Sequence, residues 1–227
     1  MLNETDAALV QGSPAWHNAR LGKITCSRFK DILTQPRSKA DREAGNLSVT
    51  AKMYMMDVVA EILTGQSQEA PTTKAMQWGL DNEPAARQLY AERTGHDVRQ
   101  VGFYEHPSEP RFGGSPDGLI DMPGMPGGGV EIKCPFNTAI HLGYILGGVL
   151  PKEHEAQVYG HLWLTGRTWW DFVTYDPRIN DLSLAFWRLR VWHKDVINRV
   201  DEINDKVRAF REKVLETLCE LKGARRE

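Results

Sequence analysis

Ser115-Pro116-Asp117-Gly118 is followed, fourteen residues after the aspartate, by Glu131-Ile132-Lys133, and the pairing of these two stretches decides the fold. Side chains alternate along a strand, so Glu131 and Lys133 emerge on one face while Val130 and Ile132 turn inward. Residues 122–128 (MPGMPGG) read as a Pro/Gly turn. Strands paired through that turn bring Asp117, at the start of one, beside Glu131, near the end of the other. Two carboxylates so placed repel each other unless a cation lies between them, and one lysine cannot neutralise both. A hard divalent ion suits such a site: Mg²⁺ takes one or two carboxylates, keeps several waters and binds substrate phosphate. Asp117, Glu131 and the Ile132 carbonyl are the candidate ligands. Lys133 is left to hold an attacking water or balance charge on a phosphate. An exposed salt-bridge ladder on a hairpin fits the same residues.

Working outward, residues 97–104, 111–114, 118–121 and 129–134 read as an antiparallel meander of short strands. Before them the pattern is helical. Ser13-Pro14 resembles an N-cap with proline at the first helical position, opening a helix to Arg20. A second helix starts near Thr25 to Ser27 and turns Phe29, Ile32 and Leu33 inward. Two longer ones cover about 48–63 and 75–93, stopped by Gly65 and Gly95. After the meander come a helix over 153–165 ended by Gly166, an aromatic strand over 169–175, and a strand over 184–192. In the last, Trp187, Leu189 and Val191 alternate with Arg188 and Arg190, which predicts one wet face. A final helix over 194–221 carries Val196, Val200, Ile203, Val207, Phe210, Val214 and Leu221 as one apolar stripe, to be docked on its own domain or used between subunits.

Composition narrows the function. The chain has 227 residues, 41% hydrophobic, with 28 Lys+Arg against 30 Asp+Glu. That is enough apolar material for one domain with a real core, and it excludes disorder, collagen-like repeats and a nucleic-acid coat protein. No apolar run approaches a spanning helix, and the first ten residues carry no export signal. Cys26, Cys134 and Cys219 are far apart and odd in number, so neither a disulfide framework nor a zinc site is read. A soluble, cytoplasmic protein is expected. Residues 20–42 hold seven Lys or Arg against Asp31 and Asp41, a strip that suits a polyanionic substrate and equally suits a solvated face. Met76, Leu80, Glu83, Ala86 and Tyr90 share a helical face, so Glu83 either projects into a buried stripe and asks for a cation, or sits at its rim bonded to Arg87. Thr25 and Ser27 open a helix just after Arg20, an arrangement for phosphate or for ordinary capping. Single histidines such as His161 read as packed or surface residues.

Taken in order, Trp16-His17 through Arg20-Leu21-Gly22, Ile24-Thr25 to Ser27, Pro36-Arg37-Ser38, Trp78-Gly79 through Glu83 to Ala86-Arg87, Ser115-Pro116-Asp117-Gly118, Glu131 through Lys133-Cys134-Pro135-Phe136, Ala156-Gln157-Val158 and Tyr175-Asp176-Pro177-Arg178 resemble the phage lambda exonuclease family of viral recombination nucleases. The resemblance implies a PD-(D/E)XK fold of the α/β (α+β) class, a central mixed sheet flanked by helices, here a single nuclease domain over 1–227. It implies a Mg²⁺-dependent 5′→3′ exonuclease that degrades one strand of duplex DNA from an end to mononucleotides, using two ions, with Mn²⁺ able to substitute. By position, Asp117, Glu131 and Ile132 bind metal, Lys133 is the catalytic lysine, and Glu83 and Gln157 complete the site. Arg20, Ser27 and Ser115 match the pocket for the terminal 5′-phosphate, and Arg37, Lys74 and Met76 match DNA-contacting positions. A homotrimeric ring, a single-strand annealing partner and a phage or prophage origin in a bacterial host are also implied, with little sequence preference and binding that weakens steeply with salt. A site-specific endonuclease, or a non-catalytic DNA-end binding module, on the same fold are the alternatives. The C-terminal helix matches the family poorly.

Overall fold

Local signals start and stop the helices of the computed structural model, which describes residues 10–69 and 71–223. Residues 1–9, most of the stretch read above for an export signal, lie outside these. In α1 (Pro14–Arg20) the Ser13 hydroxyl accepts from the Trp16 N–H and Pro14 takes the first position. Then come β1 (Ile24–Thr25), a 3₁₀ turn (Cys26–Arg28), α2 (Phe29–Leu33) and α3 (Lys39–Glu43). Ser48 and Thr73 cap α4 (Val49–Thr64) and α5 (Lys74–Thr94), which end on Gly65 and Gly95 in the left-handed conformation. The remainder is β2 (Tyr104–Glu105), β3 (Phe112–Gly114), β4 (Gly118–Met122), β5 (Met125–Lys133), α6 (Thr138–Gly147), α7 (Lys152–Thr165), β6 (Trp169–Tyr175), α8 (Leu182–Ala185), β7 (Phe186–Trp192) and α9 (His193–Gly223). No helix among the described residues is long and apolar enough to cross a membrane.

The strands form two sheets rather than one meander. A mixed sheet runs β4-β5-β6-β7, with β5 and β6 parallel and the outer pairs antiparallel. A small sheet runs β1-β3-β2, with β1 parallel to β3. The expected strand over 97–104 reduces to β2 and an isolated bridge between Arg99 and Leu119. The Pro/Gly segment is shorter as a turn than its composition suggests. Met122 pairs with Met125, so Pro123 and Gly124 alone make the reversal, with Gly124 at φ +75°. Gly128 and Gly129 belong to β5 because two indoles lie over them. A Cβ at Gly128 would meet the Trp169 ring at 2.1 Å, and one at Gly129 would meet Trp170 at 2.4 Å.

Alternation along β5 and β6 gives the mixed sheet two covered faces. Val130, Ile132, Trp169 and Val173 pack with Ala86 and Tyr90 of α5. Trp170 and Phe172 pack on the other side with Val158 and Leu162 of α7 and the α9 stripe. That stripe is Val200, Ile203, Val207, Phe210, Val214 and Leu218, so α9 docks on its own chain. Leu221, expected in the stripe, is 42% exposed, because the fourth-residue step from Val214 falls on Leu218. The α5 stripe also ends early: Met76 and Leu80 are exposed, while Ala86 and Tyr90 are buried.

The arginine face of β7 is not simply wet. Asp171 on β6 is fully buried, and Arg188 and Arg190 close over it. Its oxygens accept from the Tyr90 hydroxyl at 2.7 Å, from Arg188 at 3.0 Å, and from Arg190 at 2.8 and 2.9 Å. A buried acid so paired is costly to break. Asp171→Ala should leave two arginines without their acid and lower stability by about 3 kcal/mol, read as a fall in the midpoint of urea unfolding. An unchanged midpoint would show that this cluster does not brace the sheet.

Candidate active site

The end of β5 delivers Glu131 and Lys133 to the α7 face of the sheet, while Ile132 points into the α5 core. Asp117, the residue before β4, is placed by a backbone bond: the Ile132 N–H donates to its Oδ2 at 2.6 Å. The predicted juxtaposition of Asp117 with the Glu131-Ile132-Lys133 strand is therefore present. Glu131 is completely buried and Asp117 nearly so, which removes the exposed salt-bridge ladder. Lys133 Nζ lies 2.6 Å from Glu131 Oε1, yet neither Glu131 oxygen has a hydrogen bond of good geometry.

These groups divide the charge unequally. Burial, then Glu131 and Glu83, push the Asp117 carboxyl well above the usual range. Burial also works against charge on Glu131, but Lys133 and His161 hold it down to about 2. Lys133 is lifted above the usual lysine value because Glu131 and then Asp117 outweigh its burial. A divalent cation bound between two such acids would favour the ionised form of both.

Glu83 joins from α5. Its carboxylate pairs with Arg87 one turn on, as the rim reading expected, yet its side chain is only 18% exposed. Burial pushes its pKa above the ordinary carboxylate value, against Arg87, and Glu131 adds to the rise. Arg87 also donates from Nε to the Asp117 carbonyl at 2.8 Å, so a single guanidinium ties α5 to the residue that opens β4. Gln157 sits half-buried on α7, and His161, one turn later on the same face, brings Nδ1 to 3.4 Å from Glu131 Oε2. Sequence reasoning named Arg87 only as a rim partner of Glu83 and read His161 as a packed or surface residue. Their signal was helical spacing, four residues from Gln157 and from Glu83.

The donor set fits a hard divalent ion completed by substrate and water. Glu131 offers two buried oxygens without hydrogen bonds, Asp117 offers a second carboxylate, and Ile132 a carbonyl. Among the described residues no cluster of three or more His, Cys, Asp or Glu forms a ready-made cage.

The candidate phosphate residues are partly brought together. Arg20 stacks 4.3 Å above the Trp16 ring, and the Trp16 indole N–H donates to Ser115 Oγ at 2.9 Å and to the Gly102 carbonyl at 2.8 Å. Trp16 thus joins Arg20 to Ser115. Glu69 holds Arg20 from the other side at 2.8 Å. Ser27 is engaged elsewhere, its hydroxyl 3.3 Å from that of Thr25. The Thr25 N–H donates to the Tyr54 hydroxyl at 2.9 Å, and the Thr25 side chain makes no cap bond. Arg37 is exposed, as are Lys74 and Met76 in the first turn of α5.

A family model, the YqaJ-like viral recombinase domain, matches residues 15–168. The chain belongs to this family. Among solved structures, the alkaline exonuclease LHK-Exo from Laribacter hongkongensis is 34% identical with a TM-score of 0.79, over 93% of this chain and 97% of that one. Its complex with dAMP matches with a TM-score of 0.80 over the same shares at the same identity. A phage-related exonuclease from Haemophilus somnus 129PT shares the fold at 17% identity, TM-score 0.59, over 86% of this chain and 96% of that one. No curated protein matches. Membership in the YqaJ-like family bears out the resemblance read from the ordered motifs, and the fold is of the PD-(D/E)XK type. The matched range holds every candidate site residue and stops before β6, in keeping with the poor match of the C-terminal helix.

Arg87 is the brace most open to test. Arg87→Met should strand the buried Glu83 carboxylate and lower stability by about 3 kcal/mol. Adding Glu83→Gln should recover part of that loss in a double-mutant cycle. Strictly additive losses would show that the pair is not coupled.

Proposed function

We propose that this chain is a metal-dependent deoxyribonuclease that degrades one strand of duplex DNA from its ends, in the 5′→3′ direction, to mononucleotides. The 3′ single strand left behind is substrate for recombination by strand annealing. The observation that carries the reading is the convergence of Asp117, Glu131 and Lys133 at one buried strand end, in a chain of a viral recombinase family 34% identical to an exonuclease.

Asp117, Glu131 and the Ile132 carbonyl would hold Mg²⁺, as one of two ions with Mn²⁺ able to substitute, and bound metal supplies a nucleophile at neutral pH and charge stabilisation on the phosphate. Lys133, kept protonated by Glu131 and Asp117, meets the growing negative charge at the scissile phosphate. Glu83 and Gln157 border the same space and orient water and the DNA strand. Arg20, with Ser115 fixed through Trp16, takes the terminal 5′-phosphate, and Ser27 lines the approach. Arg37, Lys74 and Met76, all exposed, touch the duplex. The whole chain acts as a single nuclease domain in the cytoplasm of a bacterial host, assembled as a homotrimeric ring and working beside a single-strand annealing protein.

On linear duplex with Mg²⁺, a 5′ label should leave early as mononucleotide while a 3′ label stays on long strands, and chelator should stop the reaction. Covalently closed circles should remain intact. Asp117→Asn, Glu131→Gln and Lys133→Ala should each slow digestion about a hundredfold or more, since several kcal/mol of transition-state stabilisation is removed. Nicked circles would favour the site-specific endonuclease, and undiminished digestion by all three variants would leave only a DNA-end binding module.

The phosphate assignment has its own test. Arg20→Ala should slow 5′-phosphorylated ends by tenfold or more, the loss of about 1.5–3 kcal/mol for a hydrogen bond to a charged group, and leave 5′-hydroxyl ends nearly unchanged. Equal slowing of both ends would remove that role from Arg20.

A further inference from the structure

His161 on α7 is completely buried, and neither of its ring nitrogens has a hydrogen-bond partner. A buried polar atom left unpaired costs about 1–3 kcal/mol, so a ring that only filled space would be better replaced by leucine. The surroundings are nevertheless shaped to hold an imidazole. Trp170 lies against the ring, centroids 5.0 Å apart and planes 30° from parallel, which fixes its orientation. Gly114 leaves it room: a Cβ there would come to 2.8 Å from Nε2. So seated, the ring aims Nδ1 at Glu131 Oε2 from 3.4 Å. That separation is long for a hydrogen bond, and a small rotation of the Glu131 carboxylate would close it.

Glu131 therefore has one oxygen facing Lys133 and the other facing His161, with no bond of good geometry to either. Lys133 is the exchangeable partner. It lies two residues along the same strand and its side chain is 29% exposed, so it can swing toward a phosphate. His161 is locked in the core and cannot follow.

We propose that His161 is a positioning residue whose Nδ1–H donates to Glu131 Oε2, holding that carboxylate so that its other oxygen, which faces Lys133, would be available to a divalent cation. The inference rests on the nuclease reading above and adds to it a residue that acts through Glu131. Partners of this kind orient a ligating group and make it a better ligand, and their removal typically costs 10–100-fold in metal affinity or activity.

The experiment measures Mn²⁺ binding directly, by the loss of the free-ion electron paramagnetic resonance signal, alongside digestion of linear duplex. His161→Leu preserves apolar volume and removes both nitrogens, and it should weaken Mn²⁺ binding by about 10–100-fold and lower kcat while KM for DNA ends stays unchanged. His161→Asn places an amide N–H near the position of Nδ1 and should restore most of the affinity. His161→Gln presents its amide nearer the position of Nε2 and should not. If the leucine variant fails to fold, the Asn and Gln pair carries the same test. Equal Mn²⁺ affinity in wild type and His161→Leu, or in the Asn and Gln variants, would overturn the proposal. So would a nitrogen coupling from His161 to bound Mn²⁺, which would make it a direct ligand. A wild-type protein that neither binds Mn²⁺ nor cuts duplex would instead defeat the nuclease reading and take this inference with it.

Discussion

Glu131, a carboxylate with no exposed surface, is the group on which the rest of the arrangement turns. Water cannot solvate it, so its charge depends on Lys133 two residues along and on His161 beneath it. Those neighbours exist because β5 pairs on both edges. The parallel pairing with β6 sets Glu131 beside Phe172 and Lys133 beside Thr174, and the antiparallel pairing with β4 brings Asp117 within reach of the Ile132 amide. A one-residue slip in either register would turn Glu131 into the apolar α5 face. The hydrophobic sorting of Val130 and Ile132 against Trp170 and Phe172 is thus also what aims the acid.

Asp171 supplies a control within the same sheet. It is equally buried, one strand away on the opposite face, and it has a hydroxyl and two guanidinium groups bonded to its oxygens. Every lone pair that burial threatens is met there, and nothing is left to bind a ligand. Glu131 is the contrasting case, with the same burial, fewer donors and oxygens still available. Burial and charge alone do not separate a structural acid from a working one. The completeness of the hydrogen bonding does, and here it points to β5 and away from β6.

Much of this was legible in the chain because it is local. Caps at Ser13, Ser48, Gly65, Gly95 and Gly166 are decided within a few residues, and the alternation of Glu131-Ile132-Lys133 needs only the strand period. Pairing between distant segments was not legible. The parallel contact of β1 with β3 joins Ile24 to Phe112, a separation no periodicity encodes, and so β3 was read as part of a meander and Thr25 as the start of a helix. Gly128 misled for a related reason: glycine marks a turn when read locally, but here it answers the indole of Trp169 in the neighbouring strand. His161 went unrecognised because a lone histidine says nothing until its tertiary neighbour is known.

The basic strip over 20–42 shows how far formal charge can mislead about a polyanion surface. Arg20 is held by Glu69, Lys23 by Glu105, Arg28 by Asp31 and Asp57, and Lys39 by Glu43, while Arg42 folds back onto the carbonyls of Pro36 and Arg37. Most of these cations already have an anion or carbonyl at contact distance. A DNA phosphate that reaches Arg20 in the proposed reaction must displace Glu69, so the ion pair that breaks offsets part of the new attraction. The salt sensitivity of binding then follows the number of cations that gain a new phosphate, which is smaller than the seven Lys and Arg of the strip. Glu69 pairs with the Arg20 guanidinium where it lies over Trp16, the residue whose indole N–H donates to Ser115. In the proposed reaction the terminal phosphate would thus meet an arginine already held by Trp16 and Glu69, and little entropy would be lost in ordering it.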